Sequence, residues 1–175
     1  STGGAATVAL GQSDLTSDVK AITATSLINA TGVTFDSDGN LWVADKGNNR
    51  VLKYPAANLS TGGAATVALG QSDLTSDVNT SGTATATNLN NATSIDFDSS
   101  GNLWVADKGN SRILKYPAAN LSTGGAATVA LGQTDLTSDE KATTATTMTN
   151  ATSITFDSSG NLWVADKGNS RILKY

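Results

Sequence analysis

Gly39-Asn40-Leu41-Trp42-Val43-Ala44-Asp45-Lys46-Gly47-Asn48-Asn49-Arg50-Val51-Leu52-Lys53-Tyr54 is the stretch whose reading decides the fold. It returns as Gly101 to Tyr116 and as Gly160 to Tyr175, with Asn49→Ser and Val51→Ile the only changes. Leu41-Trp42-Val43 favours a pleated, packed surface. Asp45-Lys46-Gly47-Asn48 supplies turn residues, Gly47 being free to take positive φ. Arg50 to Tyr54 then returns as a second strand, so each copy reads as a β-hairpin. Three copies of one hairpin make a repeat protein, and the repeat decides the architecture.

Working outward, Ser1-Thr2-Gly3-Gly4-Ala5-Ala6-Thr7-Val8-Ala9-Leu10-Gly11-Gln12 recurs from Ser60 and Ser122, spacings of 59 and 62 residues. The chain therefore divides into repeats 1–59, 60–121 and 122–175 of a single segment, 1–175. Ala6 to Leu10 reads as a strand bounded by Gly4 and Gly11. Thr31 to Asp36 reads as another, with Val33 and Phe35 on one face and Ile95, Phe97, Ile154 and Phe156 as their copies. Between them lies a Thr/Ala-rich loop in which the copies differ most; three extra residues fall near Asn79–Gly82. Pro55, lacking an amide proton, ends the strand it follows.

The motif Gly32-Val33-Thr34-Phe35-Asp36-Ser37-Asp38-Gly39-Asn40-Leu41-Trp42-Val43-Ala44-Asp45-Lys46-Gly47-Asn48-Asn49-Arg50-Val51 resembles the NHL repeat, a family of β-propeller blades. Ser94 and Ser153 replace its first Gly in the later copies. The resemblance implies an all-β fold of four-stranded antiparallel blades, commonly six to a ring. It implies fold more than function, because function on such scaffolds sits in grafted loops. It also implies that Asp45 with Arg50, Asp107 with Arg112, and Asp166 with Arg171 are structural: the Asp caps the turn and the Arg reaches it or a neighbouring blade. Phe35, Trp42, Phe97, Trp104, Phe156 and Trp163 are expected in the interblade core.

Three blades are too few, since propellers close with ~4 to 8. An open arc would leave two apolar blade faces and two strand edges bare. The economical closure is a homodimer with six blades; a homotrimer with nine is the next. In either, Thr7, Val8, Ala9 and Leu10 of one chain would pair beside Arg171, Ile172 and Leu173 of another.

Composition narrows function. There is no Cys and no His, which removes thiolate chemistry, the commonest general base and the commonest metal ligand. A net charge of −4 argues against a nucleic-acid partner. No apolar run approaches the ~20 residues of a membrane helix, and Ser1–Gly4 has no leader character, so neither membrane span nor signal peptide is expected. Asp36-Ser37-Asp38-Gly39 lacks the remaining ligands of a calcium loop and reads as a tight turn. The Asn-x-Thr/Ser matches at Asn29 and its copies Asn91 and Asn150, and at Asn58 and Asn120, arise easily in so Asn- and Thr-rich a chain.

No cofactor and no catalysis are expected. The leading reading is a self-assembling scaffold, designed or recently amplified, whose N-terminal outer strand completes a partner's last blade. The alternative is a protein- or glycan-binding module. Its ligand face would carry the variable loops and the turn residues Lys46, Asn48, Asn49, Asn79 and Ser81.

Overall fold

The computed structural model describes residues 3–78 and 83–175; Asn79 and Ser81 lie outside them. Each sheet is an antiparallel meander in chain order. Blade 1 comprises β1 (Ala30–Phe35), β2 (Leu41–Asp45), β3 (Arg50–Tyr54) and β4 (Val67–Leu69). Blade 2 comprises β5 (Ala92–Phe97), β6 (Leu103–Asp107), β7 (Arg112–Tyr116) and β8 (Val129–Leu131). Blade 3 has three strands, β9 (Ala151–Phe156), β10 (Leu162–Asp166) and β11 (Arg171–Lys174). The blades touch through β1, β5 and β9, and no ring closes within this chain.

Alternation along the strands gives each blade two apolar faces, as sheets buried on both sides require. We term the face toward the preceding copy leading and the other trailing. The trailing Trp42, Ala44, Val51 and Leu69 of blade 1 share a buried cluster with the leading Ile95, Leu103, Val105, Leu114 and Tyr116 of blade 2. Ala106 and Ile113 of blade 2 meet Ile154, Leu162 and Val164 of blade 3 in a second cluster. A third covers the leading face of blade 1, where Leu10, Leu27, Leu59 and Leu74 pack on Val43, Leu52 and Tyr54.

The hairpin turn differs from the expectation for Gly47. Lys46–Asn48 is a single 3-10 turn, and the left-handed residue is Asn49 (φ 52°), a position Asn tolerates through its short polar side chain. Ser111 and Ser170 hold the same conformation. Gly47 is needed for another reason: its N–H donates to Ile28 O at 2.7 Å, and a Cβ there would lie 2.4 Å from Ile28 Cγ2.

The reading of Ala6 to Leu10 as a strand does not hold within this chain. Val67–Leu69 and Val129–Leu131 pair with β3 and β7, but among the described residues no strand pairs with Thr7, Val8, Ala9 and Leu10, and an extended segment without a partner forms no ladder. It is nonetheless held in place. Ala9 N donates to Thr61 Oγ1 (3.1 Å) and Ala9 O accepts from Gly62 N (3.3 Å). Ala68 in β4 makes the same pair of bonds with Thr123 and Gly124. The segment thus rests on blade 1 as the outer strand of a preceding blade would.

Candidate functional site

The repeated Asp–Arg pair forms the polar centre of each blade. Asp45 Oδ1 accepts the Ile28 N–H at 2.7 Å, while Oδ2 accepts Arg50 Nε at 2.7 Å and Asn48 Nδ2 at 2.8 Å. Arg50 Nη2 donates to the Thr23 and Ser26 carbonyls, and Nη1 to Leu74 O of the next copy at 2.6 Å. Blade 2 repeats the arrangement through Asp107, Arg112, Asn90, Asn110 and the Leu136 carbonyl. The expected capping of the turn by Asp is corrected: Asp45, Asp107 and Asp166 make no side-chain cap bond there. Their carboxylates instead fasten a loop residue seventeen positions earlier and an Arg five positions later. Both members are fully buried in blades 1 and 2. Such pairs are strongly destabilising to break, since either partner alone is an uncompensated buried charge. Their donors and acceptors are committed to holding loops.

A second polar node closes the β1–β2 turn. Asp36 Oδ1 accepts the Asp38 and Asn40 amides, and Oδ2 accepts Trp42 Nε1 at 2.9 Å. Burial pushes this carboxyl up, but the Trp42 and Asn40 hydrogen bonds outweigh it and hold it below the usual range. Lys53 Nζ lies 5.5 Å from the Trp42 ring centroid, completing the cluster. Sequence reasoning took this Asp only as a turn former; its signal was the recurrence of Asp-x-x-Gly-Asn-x-Trp in all three copies.

The expected ligand face changes most. Asn48 is fully buried, and Asn49 is nearly so, its Oδ1 accepting Asn91 N and its Nδ2 donating to Asp77. Asn49 fastens one copy to the next, whereas Asn48 holds Asp45 and the Ala21 carbonyl of its own copy. Lys46 is partly exposed. Gln71, overlooked in the sequence, bridges as well: its Nε2 donates to Asn49 O and Val78 O, while Oε1 accepts Val78 N.

The aromatic residues separate into paired and unpaired. Trp42 meets Phe97, and Trp104 meets Phe156, each edge-to-face at 5.9 Å. Phe35 and Trp163 are corrected as core residues of the single chain, being 58% and 37% exposed. The cause is positional: Phe35 is on the leading face of blade 1 and Trp163 on the trailing face of blade 3, where no further blade covers them. Ile172 on β11 is 64% exposed for the same reason.

Polar groups follow the same division. Arg171 Nε and Nη2 are bonded to Asp166 and Thr147 O, but Nη1 meets no loop carbonyl among the described residues, and the side chain is 25% exposed where Arg50 and Arg112 are sealed. Leu15, whose copies Leu74 and Leu136 supply those carbonyls, is exposed at the other end of the chain. The candidate site is this pair of open faces.

Comparison with known proteins fixes the fold. The NHL repeat model matches residues 27–54, 89–116 and 148–175. No curated protein matches the sequence. Among solved structures, a streptogramin B lyase is 16% identical with a TM-score of 0.50, covering 87% of this chain and 40% of its own. A luciferin-regenerating enzyme is 19% identical with a TM-score of 0.50, covering 84% and 40%. Virginiamycin B lyase from Staphylococcus aureus is 12% identical with a TM-score of 0.48, covering 83% and 40%. The chain thus spans about two fifths of the length of these structures, and the likeness to the two at a TM-score of 0.50 concerns fold alone at such identities. The chain carries three NHL repeats, one per blade, and is an NHL-repeat protein of propeller-blade architecture.

Proposed function

We propose that the chain is a non-catalytic, self-assembling propeller scaffold in which two copies close a six-bladed ring. The observation that carries this reading is the complementarity of the two open faces. Among the described residues Trp163 has no Phe against it and Phe35 no Trp, and Arg171 Nη1 has no carbonyl acceptor, while Leu15, whose copies Leu74 and Leu136 supply that carbonyl, is exposed. β11 lacks an outer strand, and Thr7–Leu10 is laid on blade 1 as an outer strand with no sheet of its own. Transferring the β3–β4 register puts Leu10 opposite Ile172, Ala9 opposite Leu173 and Val8 opposite Lys174. Removing an exposed sheet edge and an apolar face together favours association.

The non-catalytic part of the reading is supported by how the fully buried ion pairs are spent: Asp45 with Arg50 and Asp107 with Arg112 are bound by structural partners. A chain without cysteine allows a clean test. Val8→Cys with Lys174→Cys, oxidised in dilute solution, is expected to give a covalent dimer. Lys20→Cys with Lys174→Cys is expected to stay uncrosslinked, since Lys20 lies in the exposed loop beside the β2–β3 turn, at the other end of the blade. Equal behaviour of the two variants would remove the register, and a crosslinked trimer would replace the dimer by a nine-bladed ring.

A further inference from the structure

Within each internal junction one side chain acts as a knob. Leu89 is fully buried in the cluster that holds Ala44 and Val51 of blade 1, and Met148 is fully buried with Ala106 and Ile113 of blade 2. Both come from the loop preceding β5 or β9, and both lie over a left-handed glycine that leaves them room. A Cβ at Gly70 would sit 2.7 Å from Leu89 Cδ1, and one at Gly132 2.5 Å from Met148 Cγ. In the first copy Gly11 and Leu27 repeat this pair, with the same contact at 2.6 Å. Leu27 is therefore already set by its own chain on the leading face of blade 1.

The trailing face of blade 3 offers the matching space. A hollow of about 400 Å³ is lined by Thr152, Ala165, Lys167, Ser170, Arg171 and Ile172. Ala165 and Ile172 are a cross-strand pair, as are Ala44 with Val51 and Ala106 with Ile113. The hollow is the third copy of a socket filled twice within the chain.

We propose that this hollow is the specificity-determining socket of the assembly and that its occupant is Leu27 of a second copy. The inference rests on the ring reading above and sharpens it. Strand pairing alone is backbone chemistry and accepts many partners, whereas a knob of fixed size in a hollow of fixed shape selects a copy of this repeat. Hot spots of this kind lie at well-packed, desolvated centres of interfaces. The polar fastening flanks it: Arg171 Nη1 toward the carbonyl of the partner's Leu15, as Arg50 Nη1 binds Leu74 O.

The dissociation constant of the full chain, measured by sedimentation across concentration, tests the inference. Ile172→Asp alters a side chain exposed in the single chain, so folding of the chain is expected to survive while self-affinity falls at least about 100-fold. Leu27→Ala is expected to weaken association at least about 30-fold, and Leu27→Met, which copies Met148, to hold it within about 5-fold. A wild-type dimer that both Ile172→Asp and Leu27→Ala leave equally tight would overturn the socket and leave the ring standing. A wild-type chain that remains single at every concentration would overturn both. Were Ile172→Asp to fail to fold, the Leu27→Ala and Leu27→Met pair decides alone.

Discussion

The junctions inside the chain and the faces at its ends are made of the same residues and differ in one respect, the presence of a neighbour. Trp42 is sealed against Phe97, whereas Trp163 is open; Arg50 Nη1 reaches the Leu74 carbonyl of the next copy, whereas Arg171 Nη1 reaches no carbonyl among the described residues. The sequence of the hairpin is almost identical in both settings. The hairpin is therefore a local product of its own repeat, while a blade takes its fourth strand from the next repeat and its stability depends on what stands next to it. This is the behaviour of a repeat array, in which intrinsic and nearest-neighbour contributions add.

The comparison breaks most visibly at the buried charges. Arg112→Ala strands a fully buried Asp107 and is expected to cost about 3–5 kcal/mol. Arg171→Ala, in a side chain partly open to water, is expected to cost about a third of that in dilute solution. Urea denaturation at concentrations that keep chains apart reads the difference. Equal costs would mean that the junction adds nothing to the pair.

The aromatic pairs come next. Phe97→Ala empties the junction between blades 1 and 2 and is expected to cost about 3 kcal/mol. Phe35→Ala is expected to cost less than about 0.5 kcal/mol in dilute chains, since its side chain is exposed there, and to approach Phe97→Ala once chains associate. A large dilute-chain effect of Phe35→Ala would contradict the open leading face.

Tyr54 sharpens the picture of the interior. Its hydroxyl is buried without a hydrogen-bond partner among the described residues, and burial pushes its pKa up to about 12, with Asp45 adding to the rise. Because the folded value lies above the unfolded one near ~10, its contribution is fully present below pH ~10. It is lost as pH climbs through about 12. Tyr54→Phe is expected to be neutral or stabilising by about 1 kcal/mol at pH 7 and to reduce this alkaline loss, read by denaturation at paired pH values. A destabilised Tyr54→Phe would reveal a partner for the hydroxyl.

The smallest effect concerns one unmatched acceptor. Asn169 Oδ1 accepts from Thr143 Oγ1 at 2.6 Å, while Asn48 Oδ1 and Asn110 Oδ1 are buried without a donor among the described residues. Ile22 and Ala84 occupy the places corresponding to Thr143. Ile22→Thr is expected to stabilise blade 1 by about 0.5 kcal/mol, the new hydrogen bond slightly exceeding the lost apolar contact. A loss of stability would show that the contact outweighs the bond.

What could be read from the sequence followed from what repeats. Leu41-Trp42-Val43 and Arg50 to Tyr54 carry their strand character locally, and identical copies located the blades. The bonds that fasten loops and join blades were not legible, because they connect residues far apart in the chain. Nothing near Asp45 announces that it binds the amide of Ile28, and nothing near Asn49 announces a bond to Asn91. The same polar residues that suggested a solvent-facing site at Asn48 and Asn49 serve as internal fasteners. Gly47 was legible as a turn glycine and wrongly assigned in conformation, since its requirement is closeness to Ile28 rather than positive φ. That the ends of a three-blade arc lie bare was legible in the repeat count, but that Phe35 and Trp163 are among the residues left open there needed coordinates.

The central claim is that the two open faces meet. Light scattering on the unmodified chain across micromolar concentrations tests it most directly. The account predicts a species of twice the 17.7 kDa chain mass, and a folded species at the single-chain mass throughout would contradict it.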